Sequence, residues 1–289
     1  MSKKILITGA NGNVSTALIS SLKNSKQSIR AMVRNPDKAN ALKAMGVEVV
    51  IGDLEVASTL PKAFEGVDSV FLLTSNGPRA PENMSKGLWA ARKAGVSYVL
   101  RMSAIGAAHN APTINSRLHA LSDAEVAVSG IPYTILKPHF FMQNLMMFAQ
   151  SVAKDGAMYA ALGEGRLGMV DVRDIGEFAA RLLLSGGHDG KTYTLTGPQS
   201  LNMGQVAQQL GAALNKTVAY HAATYEQAGA AMAGMGMDPY SVDMMTDYFK
   251  AYSENWGDLV TNDFQTLMGK APRSFATFAQ DFATVFGGK

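Results

Sequence analysis

Along the first half of the chain, short β-branched or apolar runs (KILIT, SIRAMV, VEVVIGD, SVFLLT, YVLRMSA, YTILKP) take turns with longer segments whose apolar residues recur at helical spacing. The latter are TALISSLKN, PDKANALKAMG, STLPKAFEGV, NMSKGLWAARKAG and SDAEVAVSG. Strict alternation of this kind predicts βαβ units around a parallel sheet. Gly46, Gly66, Gly95 and Gly130 each close a helical segment just before a strand, the usual place of a helix-ending glycine. Residues 1–150 are therefore expected to form an α/β domain with a Rossmann-type, doubly wound parallel sheet.

Past that point the texture changes. LGMVDVRDIGEFAARLLL reads as a strand-like piece followed by a helix, with Asp174 and Glu177 spaced as a capping box. KTYTLTG reads as one more strand, so sheet segments are expected to return at about 166–197. SLNMGQVAQQLGAALN reads as a helix, and from His221 onward the pattern is mostly helical and rich in Ala, Gly and Met. Residues 198–289 are accordingly expected to form a smaller, mainly helical subdomain that covers substrate at the carboxyl edge of the sheet. Within it, GAAMAGMGMDPYSVDMM reads either as a mobile, Met-rich lid or as a loosely packed helical hairpin.

Composition narrows the function classes. Of 289 residues, 47% are hydrophobic and 17% charged, which is ordinary for a globular protein. The apolar stretch after the two N-terminal lysines stops at Thr8 and Gly9, short of a secretory core of about 7 to 15 residues. No run of about 18 apolar residues occurs, so neither a membrane span nor export is expected and the cytoplasm is the expected location. The absence of cysteine excludes disulfides, thiolate nucleophiles and Cys-based metal sites, and the five histidines show no metal-binding spacing; no metal is expected. A net charge of +3 without a dense Lys/Arg block argues against nucleic acid as a partner.

The candidate chemistry begins at ITGANGNVS. Gly9-x-x-Gly12-x-x-Ser15 lies between a strand and a helix, where a dinucleotide site uses one glycine for the turn and a second for close approach of backbone to pyrophosphate. At the end of the next strand, where an acidic residue would hold the adenosine ribose, the chain has Arg34, with Lys38 one helical turn beyond. That residue type favours NADP(H) over NAD(H).

Taken with GDLEVASTLPKAFEGVDSVFLLTS, YVLRMSAIGA, SGIPYTILKPHFFMQN and DVRDIGEFAA, the loop resembles the NmrA-like atypical group of the short-chain dehydrogenase/reductase superfamily, in motif order and over nearly the whole chain. In style the sequence is similar to NADPH-dependent quinone, azo-dye and triphenylmethane-dye reductases, and to the redox-sensing regulators that share their fold. The resemblance implies that Gly9, Asn11, Gly12, Asn13 and Val14 contact pyrophosphate and Arg34 the 2′-phosphate, with Lys38 also among the cofactor-binding residues. Asp53 and Leu54 would flank the adenine, while Thr74 and Ser75 would line the path to the nicotinamide and Ser103 and Pro138 complete the cofactor set.

The main branch of that superfamily uses Tyr-x-x-x-Lys on a helix. The match Tyr133-Thr-Ile-Leu-Lys137 reads instead as strand, which sets the two residues about 13 Å apart. Several atypical members carry His-x-x-x-Glu in the preceding helix, and this chain has His119-Ala-Leu-Ser-Asp123 there. His119 is thus the candidate proton donor, with Asp123 on the same helical face to hold it or the two forming a surface pair without catalytic part. PHFFMQNLMMF follows a strand at the carboxyl end of the sheet, so His139, Phe140, Phe141, Asn144 and Met147 are the candidate contacts for a flat aromatic substrate.

The leading expectation is a reductase that passes hydride from NADPH to an aromatic, quinone-like or dye-like acceptor. Two others stand beside it: a non-enzymatic NADP(H) sensor that binds a protein partner, and a reductase of a polyketide or phenylpropanoid-type intermediate, whose relatives carry a catalytic lysine not identified in this chain. The partner of the first is a small aromatic molecule, with monomer and homodimer both open.

Overall fold

The computed structural model describes residues 3–288. The first half follows the predicted alternation: β1 (Lys4–Ile7), α1 (Asn13–Leu22), β2 (Ser28–Val33), α2 (Asn40–Ala44), β3 (Glu48–Ile51), α3 (Leu60–Phe64), β4 (Ser69–Leu72), α4 (Ala80–Lys93), β5 (Tyr98–Met102), α5 (Ile114–Val128) and β6 (Tyr133–Pro138). After a 3-10 segment over Met142–Phe148 come α6 (Ala149–Asp155), β7 (Ala157–Ala160), β8 (Arg166–Leu167), α7 (Val172–Ser185) and β9 (Lys191–Leu195). The chain ends with β10 (Leu201–Asn202), α8 (Met203–Leu214), β11 (Ala219–Ala222), α9 (Tyr225–Gly234), α10 (Pro239–Ser253), α11 (Asp263–Met268) and α12 (Phe275–Asp281).

Seven strands form one sheet in the order β3-β2-β1-β4-β5-β6-β9, and every pair from β3 to β6 is parallel. This is the doubly wound α/β arrangement, and the strand order reverses between β1 and β4. Such a reversal opens a crevice at the carboxyl ends of the strands, because the crossovers on its two sides leave to opposite faces.

Two compact units divide the chain. The first holds residues up to Ala111, Asn115–Lys137 and Ile175–Tyr193, and so most of the sheet. Its central strands β1, β4 and β5 are buried almost throughout, while β3 at the sheet edge is largely exposed, and one of its cores gathers Leu6, Val70, Leu72 and Val99 with Phe64 of α3 and Met84 and Leu88 of α4. The second unit holds Pro112–Ile114, Pro138–Asp174 and everything from Thr194 onward. Its core collects Val152, Leu167, Met169, Val206, Phe275, Phe278 and Phe286. The small sheets of this unit pair β7 with β11 in parallel and β8 with β10 antiparallel.

The start of α7 differs from the spacing argument. The helix begins at Val172, and the Asp171 carboxylate accepts from the Arg173 amide at 2.8 Å, so Asp171 acts where Asp174 was expected. Asp174 instead pairs with Arg273 across 99 residues of sequence. Local spacing cannot register a partner that distant. Among the described residues, no helix is long and apolar enough to cross a membrane, and no group of three or more His, Cys, Asp or Glu gathers as a metal site.

One contact fixes how closely helix and helix approach in the first unit. A Cβ built on Gly176 would sit 2.6 Å from the Ala17 carbonyl carbon and 2.7 Å from the Leu18 nitrogen, both of them backbone atoms of α1. Gly176→Ala must therefore push α7 off α1. The expected loss is about 1–3 kcal/mol, read as a fall in Tm of about 2–4 °C per kcal/mol. An unchanged Tm would show that the two helices separate freely.

Candidate functional site

Strand β1 ends at a hydroxyl that ties it to its neighbour. Thr8 Oγ1 accepts from the Leu73 amide at 2.8 Å and lies 2.8 Å from the Leu73 carbonyl, while Ser15 Oγ donates to the Thr8 carbonyl at 3.1 Å. Gly9 follows with φ +57, and a Cβ there would stand 3.1 Å from Leu73 Cδ2. The chain then turns through Gly12, whose amide donates to the Gly9 carbonyl at 2.9 Å. Gly12 is also the N-cap of α1 and supplies no side-chain acceptor to the first turn. The free N–H groups of that turn, with the positive end of the helix, make an anion site.

A cavity of about 410 Å³ opens over this turn. Gly9, Asn11 and Gly12 line it together with Arg34, Asp53, Leu54, Thr74 and Ser75, so eight of the expected cofactor residues are brought together. Asn13 and Val14 begin α1 directly behind the turn, with Val14 buried. Arg34 is exposed on the loop after β2 and forms no ion pair among the described residues. The Lys38 side chain lies outside the described residues. Ser103 is buried and donates to Asp123, and Pro138 closes β6 within the second unit.

Two lining residues carry an unmet demand. Thr74 Oγ1 and Asn83 Oδ1 are buried and have no hydrogen-bond partner among the described residues, a costly condition unless a ligand supplies one. Asn83 was missed in the sequence. Its signal was there, since it sits one turn before Gly87 on the buried face of α4, among Ala80, Met84 and Leu88. Glycine turn, uncapped helix, free arginine and orphaned oxygens all fit a phosphorylated dinucleotide.

The expected proton donor is placed differently from the spacing argument. His119 is 8% exposed, and its Nδ1 lies 3.0 Å from Arg101 Nη2. Guanidinium only donates, so Nδ1 accepts and Nε2 carries the proton. Burial, then the charges of Arg101 and Lys137, push the His119 pKa down to about 3. At neutral pH the ring is an uncharged imidazole and offers no imidazolium acid. Asp123 does not hold it. That carboxylate instead meets Ser103 Oγ at 2.7 Å, Arg101 Nε at 3.3 Å and Lys137 Nζ at 3.4 Å. Tyr133 and Lys137 lie on strand β6, as the sequence pattern predicts.

Of the expected substrate contacts, Phe140 and Phe141 are half-buried, Asn144 is exposed and Met147 is 58% exposed. His139 is the exception. It is buried, Nδ1 accepts from the Phe140 amide at 2.6 Å, and Nε2 donates to the Gly257 carbonyl at 2.8 Å. Its ring also stacks on Tyr252 at 5.9 Å between centroids. Both nitrogens are committed to the fold of the second unit, and burial pulls its pKa down to about 4.

Glycine turn, topological reversal and an arginine at the end of β2 define a dinucleotide-binding domain of the Rossmann type. The model of the NmrA-like family matches residues 1–259, and the chain belongs to that family. It is 37% identical over 283 residues to the NAD(P)H azoreductase of Xenophilus azovorans, covering 98% of this chain and 99% of the relative. It is 32% identical over 247 residues to quinone oxidoreductase 2 of Escherichia coli (strain K12), covering 84% and 86%. The crystal structure of the NADPH-dependent quinone oxidoreductase from Escherichia coli complexed with NADPH superposes with a TM-score of 0.87 at 28% identity, over 96% of this chain and 99% of that one.

The two neutral, buried histidines set a pH dependence. In the unfolded chain each takes up a proton near pH 6.5, whereas the folded protein resists until about 3 for His119 and about 4 for His139. Below pH 6.5 the unfolded state therefore binds more protons, and stability falls as pH falls. Urea unfolding should lose about 1.4 kcal/mol per pH unit for each histidine between pH 6 and 4.5. His119→Gln should remove one of the two contributions, and the ring ¹⁵N shifts of His119 should stay those of a neutral imidazole at pH 5. A ring that protonates near pH 6 would contradict this placement.

Proposed function

We propose that the chain is an NADPH-dependent reductase that delivers hydride to an aromatic, quinone-like or dye-like acceptor. The observation that carries this reading is the cavity at the sheet's reversal, where an uncapped helix and an unpaired arginine face a site with orphaned polar atoms. The names of the relatives, an azoreductase and a quinone oxidoreductase, support the acceptor class.

When bound, the nicotinamide cofactor supplies a hydride. The protein's own work is to hold and orient. Amides of Asn11, Asn13 and Val14 in the turn take the pyrophosphate at the positive end of α1, where anions are favoured. Arg34 takes the 2′-phosphate, and Asp53 and Leu54 border the adenine. Thr74 and Asn83 complete their hydrogen bonding on the bound molecule, which fixes its depth in the crevice. Phe140, Phe141, Asn144 and Met147 contact the acceptor, the aromatic rings offering flat apolar area with few polar demands. Acceptors of this class spread developing charge over a conjugated system, so proximity supplies much of the acceleration.

Arg34 decides between the two cofactors in this account. Arg34→Ala should lower kcat/KM for NADPH by roughly 10- to 100-fold, the worth of a charge-assisted hydrogen-bonded contact. NADH, which lacks the 2′-phosphate, should be almost unaffected. Steady-state kinetics with both cofactors against a quinone and an azo dye would check it. An equal effect on the two cofactors would remove Arg34 from the phosphate, and no turnover of any quinone or azo dye by the wild type would remove the reductase reading.

A further inference from the structure

Neighbouring strands bring three polar residues to one level of the carboxyl edge. Leu72, Arg101 and Ile135 are paired across β4, β5 and β6. Two residues further on stand Thr74, Ser103 and Lys137, and the register is held there by the Ser103 amide donating to the Leu136 carbonyl at 2.8 Å. Thr74 lines the cavity described above. With strands about 4.8 Å apart, Ser103 is one strand and Lys137 two strands, or about 10 Å, beyond it.

Lys137 belongs to a charge cluster with an excess of cation. Arg101 is fully buried, gives one N–H to the Met102 carbonyl, and keeps its charge at neutral pH although burial lowers its pKa to about 10. Among the described residues, Asp123 is the one carboxylate paired with Arg101 and Lys137, and His119 contributes no charge. Burying an uncompensated positive charge is costly and the fold gains nothing local from it. Lys137 is also the one cation of the cluster that reaches solvent, with its side chain 20% exposed. Its ammonium has three N–H donors. One goes to the Ala107 carbonyl at 3.0 Å and one toward Asp123, which leaves the third.

We propose that Lys137 is a catalytic residue whose ammonium contacts the acceptor and protonates it as hydride arrives. This rests on the reductase reading above. As a C=O or N=N π bond breaks, a new bond forms to the hydride and the displaced electron pair moves onto oxygen or nitrogen. That atom takes a proton from Lys137 Nζ, the cofactor leaves oxidised by two electrons, and the free amine regains a proton from water. Asp123, fixed by Ser103 and Arg101, keeps Nζ at the edge and is a positioning residue. The groups facing Lys137 are thus Asp123 and His119 from α5 and Arg101 from β5.

The test pairs turnover with a readout that needs none. 4-Nitrophenol, whose phenolate is yellow, mimics the charged product and is titrated against protein loaded with NADP⁺. Wild type should bind it and move its ionisation constant toward the phenolate by about 10-fold, one pH unit. Lys137→Met should abolish that shift and lower kcat with a quinone by 100-fold or more, while NADPH affinity stays within about 2-fold of wild type as the check that the protein is folded. Lys137→Arg, which keeps the charge, should retain the spectral shift. Wild-type levels of both shift and turnover in Lys137→Met overturn the proposal, as does failure of wild type to bind or ionise the phenol. Lost turnover with an intact shift also overturns it, because the contact would then be made elsewhere. An intact Lys137-dependent shift with no quinone or dye reduced would sink the reductase reading and leave the cation's contact with an aromatic anion standing.

Discussion

The Thr8 hydroxyl holds the two strands that flank the sheet's reversal in register with each other. By bonding both backbone groups of Leu73 it fixes where β4 ends relative to β1, and so sets the close approach of Leu73 to Gly9, whose positive φ already disfavours a side chain at position 9. From that constraint the rest follows in order. The chain turns sharply at Gly9, α1 starts at Asn13 with its first amides free, and Ser15 bonds back to Thr8 to lock the helix onto the strand. The first turn of α1 is left without a side-chain acceptor because its N-cap is Gly12, which favours an anion there.

The second organising feature is electrostatic. At the ends of β5 and β6 the fold buries Arg101, Asp123 and, in part, Lys137, with a histidine whose ring is forced neutral. Ser103 and Asp123 share a short hydrogen bond, and Arg101 Nε and Asp123 Oδ1 attract at 3.3 Å without hydrogen-bond alignment. A cluster held this way does not relax easily when the charge beside it changes. Such preorganisation is what a site needs in order to meet charge that develops during reaction. An imidazolium would have to be created inside the same positive field and away from water, which is why the histidine stays neutral.

Much of this was legible along the chain, and the exceptions share a cause. Strand and helix alternation gave the sheet through β6, because apolar runs of strand length and glycine-ended helices are local signals. The glycine turn and the place of Arg34 just after β2 were readable as positions for the same reason, each being set by distance from a strand end, while the phosphate contacts assigned to them are part of the proposal. The role of Asp123 was not. Spacing of i and i+4 places His119 and Asp123 on one helical face, but the partners that decide their chemistry, Arg101, Ser103 and Lys137, come from two neighbouring strands. That both ring nitrogens of His139 are bonded within the second unit could not be read locally, because one acceptor, the Gly257 carbonyl, lies 118 residues away. Lys137 was seen only as half of an unsuitable Tyr-Lys spacing, and its strand position, which spoils that motif, is what carries it to the sheet edge.

The proposed reductase requires a dinucleotide held at the junction of β1 and α1. A crystal structure of the protein grown with NADP⁺ measures this directly. Pyrophosphate density against the amides of Asn11, Asn13 and Val14, a 2′-phosphate beside Arg34, and ligand atoms within hydrogen-bond distance of Thr74 Oγ1 and Asn83 Oδ1 are the result expected. Nucleotide bound elsewhere on the protein, or lying in the cavity with those two oxygens still unpaired and Arg34 turned to solvent, would contradict it.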